Sequence, residues 1–238
     1  MGMPATVEIV GGTQESLDAV FSYFNEVDAR FSTYKQESEI SKINRGEIKE
    51  PDYSSEMREI FALAEQTKKE TGGYFSITTP GGSIDPSGIV KGWAIRGAAT
   101  RAQAMGYHNY FLDIGGDIQS SGTDETGADW TVGIRNPFNR DEIVKAIRPL
   151  GRGIATSGTY IRGQHIYNPH APGQEIRDIV SLTVVGPDVY EADRFATAAF
   201  AMGKGGIAFI EALPGYEGYL IDGGGVATMT TGFESLTL

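Results

Sequence analysis

Leu17, Val20, Phe21, Phe24, Val27 and Phe31 recur at the three-and-four spacing of one apolar helical face, and a stripe of that width commits the chain to packing a helix onto another layer. Just before it, Thr6 to Val10 alternates as a half-buried strand does and stops at Gly11-Gly12, leaving Thr13 to cap the helix. The same exchange of signals continues along the chain. A second helix is expected from Ser55 to Lys69, with Met57, Ile60, Phe61 and Ala64 inward and Gly72-Gly73 as its stop, followed by a short strand from Tyr74 to Thr78. The pattern then predicts a helix over Ile89 to Met105 and strands at Tyr107 to Ile114 and Trp130 to Ile134. Strand-like runs follow at Ala155 and at Ile179 to Val185, then a helix from Glu191 to Gly203, a short one over Ile207 to Leu213 and a terminal hairpin. No internal repeat or low-complexity linker divides the sequence, so residues 1–238 read as a single compact α+β domain, helices packed on largely antiparallel sheet.

A chain of 238 residues that is 40% hydrophobic has apolar material enough for one substantial core. Its net charge of −11 and the lack of any Lys/Arg-rich run argue against nucleic acid as a partner. An acidic protein that handles phosphate must neutralise it locally, with a cation, a lysine or a helix N-terminus. There is no cysteine, which excludes disulfides and thiolate chemistry and leaves oxygen or histidine to hold any metal. No apolar run reaches membrane-spanning length and Met1-Gly2-Met3-Pro4 lacks the pattern of a signal segment, so a cytoplasmic location is expected; export after removal of a signal segment is the alternative.

Three stretches have residue types suited to chemistry. Asp85-Pro86-Ser87-Gly88-Ile89-Val90-Lys91-Gly92 is a turn feeding a helix, in which small residues, first-turn N–H groups and a lysine one turn in would suit a phosphate; a capping Asp85 with a solvated Lys91 is the equal alternative. Asp193 and Thr197 stand one turn apart on a helix and could meet one hard cation through oxygen, or could serve as a cap and a buried threonine. His165, in a polar loop before Asn168-Pro169, is a candidate acid/base group, whereas His170 and His108 read as structural. Phe31-Ser32-Thr33-Tyr34 and Gly72-Gly73-Tyr74-Phe75-Ser76 read either as walls for a flat heteroaromatic or as ordinary core aromatics.

Taken in order, these segments resemble the ApbE family of FAD:protein FMN transferases. The resemblance also takes in Ser38-Glu39-Ile40-Ser41, Ile114-Gly115-Gly116-Asp117, Val132-Gly133-Ile134-Arg135-Asn136-Pro137 and Ala155-Thr156-Ser157-Gly158. It implies an ApbE-like, T-fold-related domain in which Met1, Tyr34, Tyr74, Phe75, Ser76, Asp85, Lys91 and Tyr167 contact FAD. It further implies that the Gly88 carbonyl, Asp193 and Thr197 hold Mg²⁺, and that FMN passes to a Thr or Ser of a target protein with release of AMP, assisted by Lys91 and His165. The chain departs from the family pattern at Ser76 and Asn168, which stand where aspartates are usual, and at Thr79 to Ser83, which directly joins segments that relatives separate by a long stretch. Hydrolysis of FAD to FMN and AMP, and simple FAD carriage, are the alternatives that a shortened pocket raises. Self-modification at Asp222 to Thr228 is disfavoured, because that segment reads as a hairpin turn.

Overall fold

The computed structural model describes residues 3–139, 141–159 and 166–238. Strand β1 (Ala5–Ile9) leads into helix α1 (Gln14–Phe31), whose start is set by a reciprocal cap. The Ser16 backbone N–H donates to Thr13 Oγ1, and the Thr13 N–H donates to Ser16 Oγ. The expected stripe buries Val20, Phe24, Val27 and Phe31, joined by Tyr23; Phe21, also expected inward, is 40% exposed because it lies at the margin of that face. Each fully buried aliphatic or aromatic side chain contributes on the order of 2 kcal/mol.

A short helix α2 (Glu39–Asn44), which was not anticipated, starts where Ser38 Oγ accepts the Ser41 N–H, and α3 (Ser55–Glu70) follows behind a Ser54 cap. The strand expected over Tyr74 to Thr78 does not form. Gly72 and Gly73 take positive φ of 58° and 86°, Thr71 Oγ1 accepts the Phe75 N–H, Ser76 Oγ accepts the Thr78 N–H, and a single bridge joins Thr78 to Ile84. Backbone donors are thus spent locally on side chains.

Next come α4 (Ser87–Ala104), β2 (Tyr110–Ile114), β3 (Asp117–Ser121), β4 (Val132–Arg135), β5 (Ile143–Ile147), β6 (Gly153–Gly158) and β7 (Ile179–Gly186). The chain closes with α5 (Val189–Ala201), α6 (Gly206–Glu211), β8 (Glu217–Asp222) and β9 (Ala227–Met229). Seven strands form one sheet in the order β1-β2-β3-β6-β7-β8-β9, every neighbouring pair antiparallel, while β4 and β5 make a separate ribbon. The β2–β3 turn is made by Gly115 and Gly116, both at positive φ.

Helix α4 is the core helix. It buries Ile89, Val90, Trp93, Ala94, Ile95, Ala98, Ala99 and Ala102 around most of its circumference, packing on α1 at one side, on α5 at another and over β2 and β3. Helix α5 crosses β6 and β7 and begins two residues earlier than expected, because Asp188 caps it by accepting the Glu191 N–H at 2.9 Å. The two helices meet at Gly92, where a Cβ would stand 2.7 Å from Asp193 Cβ and 2.8 Å from the Val189 carbonyl oxygen. This contact brings the start of α4 and the middle of α5 to one place.

Candidate functional site

A cleft of about 750 Å³ opens where α4 begins, walled by the β2–β3 turn, the β4–β5 ribbon, the end of β6, the chain from Ile166 to Pro169 and the inner face of α5. Its lining includes Tyr74, Phe75, Ser76, Asp85, Gly88, Lys91, Tyr167, Asp193 and Thr197. Nine residues singled out in the sequence are therefore gathered around one space.

At the mouth of α4, Asp85 Oδ1 accepts the Ser87 N–H at 3.0 Å, while the helix itself has no side-chain cap. The carboxylate thus ties the turn ahead of the helix rather than closing its end. One turn in, Lys91 is not solvated: its side chain is 13% exposed and Nζ lies 2.6 Å from Asp117 Oδ2 and 4.0 Å from Asp193 Oδ1. Asp193 is buried, and the Gly92 N–H donates to its Oδ2 at 2.8 Å. Burial pushes the Asp193 carboxyl well above the usual carboxylate range; Lys91 pulls it down and Asp117 pushes it up. Asp113, on the cleft wall, is also raised, again chiefly by burial, although the Gly116 N–H donates to it at 2.7 Å.

Thr197 Oγ1 lies 3.5 Å from the Gly88 carbonyl oxygen, a contact too long to occupy either group fully. With the Asp193 carboxylate, these groups form an all-oxygen donor set. Among the described residues, no three His, Asp or Glu side chains are gathered into a metal cage. The donors fit a small hard cation that takes few protein ligands and completes its shell with water and phosphate; a softer metal would find nothing suitable.

The aromatic wall is arranged in two layers. Phe75 is 1% exposed and its ring packs under Gly88, so it forms floor more than face. Tyr74 is half-buried and meets the His170 ring edge-on, with centroids 4.5 Å apart. His170 Nε2 lies 2.9 Å from the Gly72 carbonyl oxygen, and the Tyr167 hydroxyl donates to the Thr78 carbonyl, so the chain carrying Tyr167 is pinned to the segment carrying Tyr74 at two points. Ser76, half-buried, turns its hydroxyl to the local backbone.

Tyr34 does not join this group: it is 93% exposed and outside the cleft lining, because α1 ends at Phe31 and the chain leaves the core there. Met1 and His165 lie outside the described residues. Met3, two residues after Met1, and Ile166, next after His165, line the cleft. The contact between Asp117 and Lys91 is not legible in the motif Gly115-Gly116-Asp117: the two residues lie on different elements, and no local spacing reveals a pair across a sheet and a helix.

The ApbE family model matches residues 1–81 and 78–220. The chain belongs to the ApbE family. Two relatives named FAD:protein FMN transferase show the range of similarity. The protein from Haemophilus influenzae is 24% identical over 291 aligned positions, covering 94% of this chain and 83% of the relative. That from Vibrio cholerae is 34% identical over 140 residues, 54% of this chain and 42% of the relative, so in that match the chain spans about two-fifths of the relative's length. Among solved structures, the flavin transferase ApbE from Vibrio cholerae superposes with a TM-score of 0.86 at 23% identity, covering 99% of this chain and 96% of the other. The ApbE protein from Thermotoga maritima gives 0.83 at 20%, covering 99% of each chain. These likenesses establish a shared fold.

The ApbE match falls in two segments. Its two segments meet at residues 78–81, where Thr79 to Ser83 closes a tight loop: the Thr79 N–H donates to the Ser83 carbonyl at 2.8 Å and the Asp85 N–H to the Ile77 carbonyl at 2.7 Å. Asn44 of α2 fixes this loop from outside, accepting the Ile84 N–H and donating to the Ile84 carbonyl.

Proposed function

We propose that this chain is a Mg²⁺-dependent FAD:protein FMN transferase that esterifies a threonine or serine hydroxyl of a target protein with FMN and releases AMP. The observation that carries this reading is the convergence of Lys91, the Asp193 carboxylate and the Gly88–Thr197 oxygen pair at the start of α4, in a cleft with aromatic walls. Membership of the ApbE family and the names of the relatives support it.

FAD would lie with its pyrophosphate over the first turn of α4, where helix N–H groups and Lys91 oppose negative charge. Tyr74 and Tyr167 would flank its ring system, with Asp85 at the mouth of the helix. The target hydroxyl oxygen forms a bond to the FMN-side phosphorus as the bond from that phosphorus to the bridging oxygen breaks; AMP leaves with the electron pair, and the hydroxyl proton passes to a base. His165 is proposed for that base from its place before Tyr167, Asn168 and Pro169. Gly88, Asp193 and Thr197 would hold Mg²⁺, which when bound neutralises charge on the pyrophosphate oxygens. Positioning and charge neutralisation then supply most of the acceleration. The walls come from segments as distant as Met3 and Thr197, which supports residues 1–238 acting as one unit.

The test is incubation of the protein with FAD, Mg²⁺ and an acceptor polypeptide, following AMP by chromatography and covalent flavin by in-gel fluorescence. AMP together with a fluorescent acceptor is expected. AMP and free FMN with a dark acceptor would replace transfer by hydrolysis, and intact bound FAD would replace it by carriage.

A further inference from the structure

Asp117 has no part in the reaction as set out above, yet its carboxyl lies against the Lys91 ammonium. It begins β3 directly after the left-handed Gly115-Gly116 turn and is 1% exposed. Its Oδ1 accepts the Thr156 N–H of β6 at 3.1 Å, and its Oδ2 lies 2.6 Å from Lys91 Nζ. The same ammonium is 4.0 Å from Asp193 Oδ1. Lys91 thus stands between two buried carboxyl groups, in contact with Asp117 and at the outer limit of an ion pair with Asp193. An ion pair at contact distance outweighs a more separated one in a desolvated place, so the side chain is held on the Asp117 side.

We propose that Asp117 is a positioning residue that keeps the Lys91 ammonium off Asp193 and so leaves that carboxylate open to a divalent cation. The inference rests on the transferase reading. It explains how a lysine and a cation site can share one buried corner without cancelling each other: two carboxyl groups face one ammonium, which lies against Asp117, leaving the Asp193 oxygens to join the Gly88 carbonyl and Thr197 hydroxyl around a cation. Without Asp117, the nearest anion for Lys91 is Asp193, and the ion pair would occupy the oxygens a cation needs.

The experiment titrates MgCl₂ into protein with FAD and no acceptor, reading flavin fluorescence, and compares wild type with Asp117→Asn. The amide oxygen of asparagine can still accept the Thr156 N–H, so the change removes charge more than shape. The half-saturating Mg²⁺ concentration should rise about tenfold or more, while FAD affinity without Mg²⁺ stays within about twofold. The double variant Asp117→Asn with Lys91→Met, in which the ammonium no longer competes for Asp193, should bind Mg²⁺ about threefold or more tighter than the single variant, each being measured at its own saturating FAD. If the single variant does not fold, the double one is compared instead with Lys91→Met, and weaker Mg²⁺ binding than in Lys91→Met overturns the proposal. Unchanged Mg²⁺ dependence in Asp117→Asn, or a double variant that binds Mg²⁺ no better than the single one, overturns the proposal while leaving the transferase reading standing. A wild-type protein that binds neither FAD nor Mg²⁺ overturns both.

Discussion

At the scale of single residues, Asp193 shows why spacing alone was an incomplete guide. Its place one turn from Thr197 was legible from spacing, but its burial and its contact with Gly92 come from a second helix. Asp193→Ala should abolish Mg²⁺-stimulated AMP release while leaving the circular dichroism spectrum unchanged; loss of folding would make Asp193 a structural residue instead. Asp113 allows a prediction with a defined sign. Burial raises its folded-state pKa above the unfolded value, so its protonated form favours the fold, and that contribution is complete below the unfolded pKa and lost as pH rises through the folded pKa. Asp113→Asn can keep the bond from the Gly116 N–H, and should therefore raise Tm relative to wild type at pH 7 and lose the advantage near pH 3, as thermal melts at the two pH values would show. Tyr34 lies outside the cleft lining for a local reason: the aromatic that the segment buries is Phe31, the last residue of α1, and Tyr34 falls three positions past the stripe.

At the scale of elements, the α4–α5 contact sets the geometry of the cleft. Gly92→Ala would put a methyl group against Asp193 Cβ and the Val189 carbonyl, neither of which is the free end of a flexible side chain. Such overpacking costs about 1–3 kcal/mol, and chemical denaturation should report a loss of that size together with weaker Mg²⁺ stimulation. The pinned chain from Ile166 to His170 is the second such device. His170→Ala removes the contact with the Gly72 carbonyl and the ring edge against Tyr74, and should weaken FAD binding severalfold by flavin fluorescence with little change in Tm. Both helices were visible as periodic runs, although α5 starts earlier than its apolar run suggested because the capping residue is Asp188. The segment Tyr74 to Thr78 looked like a strand through its composition, but after the left-handed glycines its backbone pairs ladder-fashion with other described residues only at its end, through Ile77 and Thr78.

At the scale of the whole molecule, an acidic chain with net charge −11 gathers Lys91 and a helix start at one cleft, the place to which the proposed phosphate chemistry would be confined. The α+β class with mostly antiparallel sheet could be read from the order of strand and helix signals. The strand order could not: β3 pairs with β6 across the separate β4–β5 ribbon, and pairings between distant segments leave no periodic trace in sequence. The most direct measurement is the intact mass of an acceptor polypeptide after incubation with this protein, FAD and Mg²⁺, read beside the AMP released. A gain equal to FMN less water, with one AMP per adduct, is the predicted result. An unmodified acceptor beside intact FAD, across a range of acceptor sequences, would contradict it.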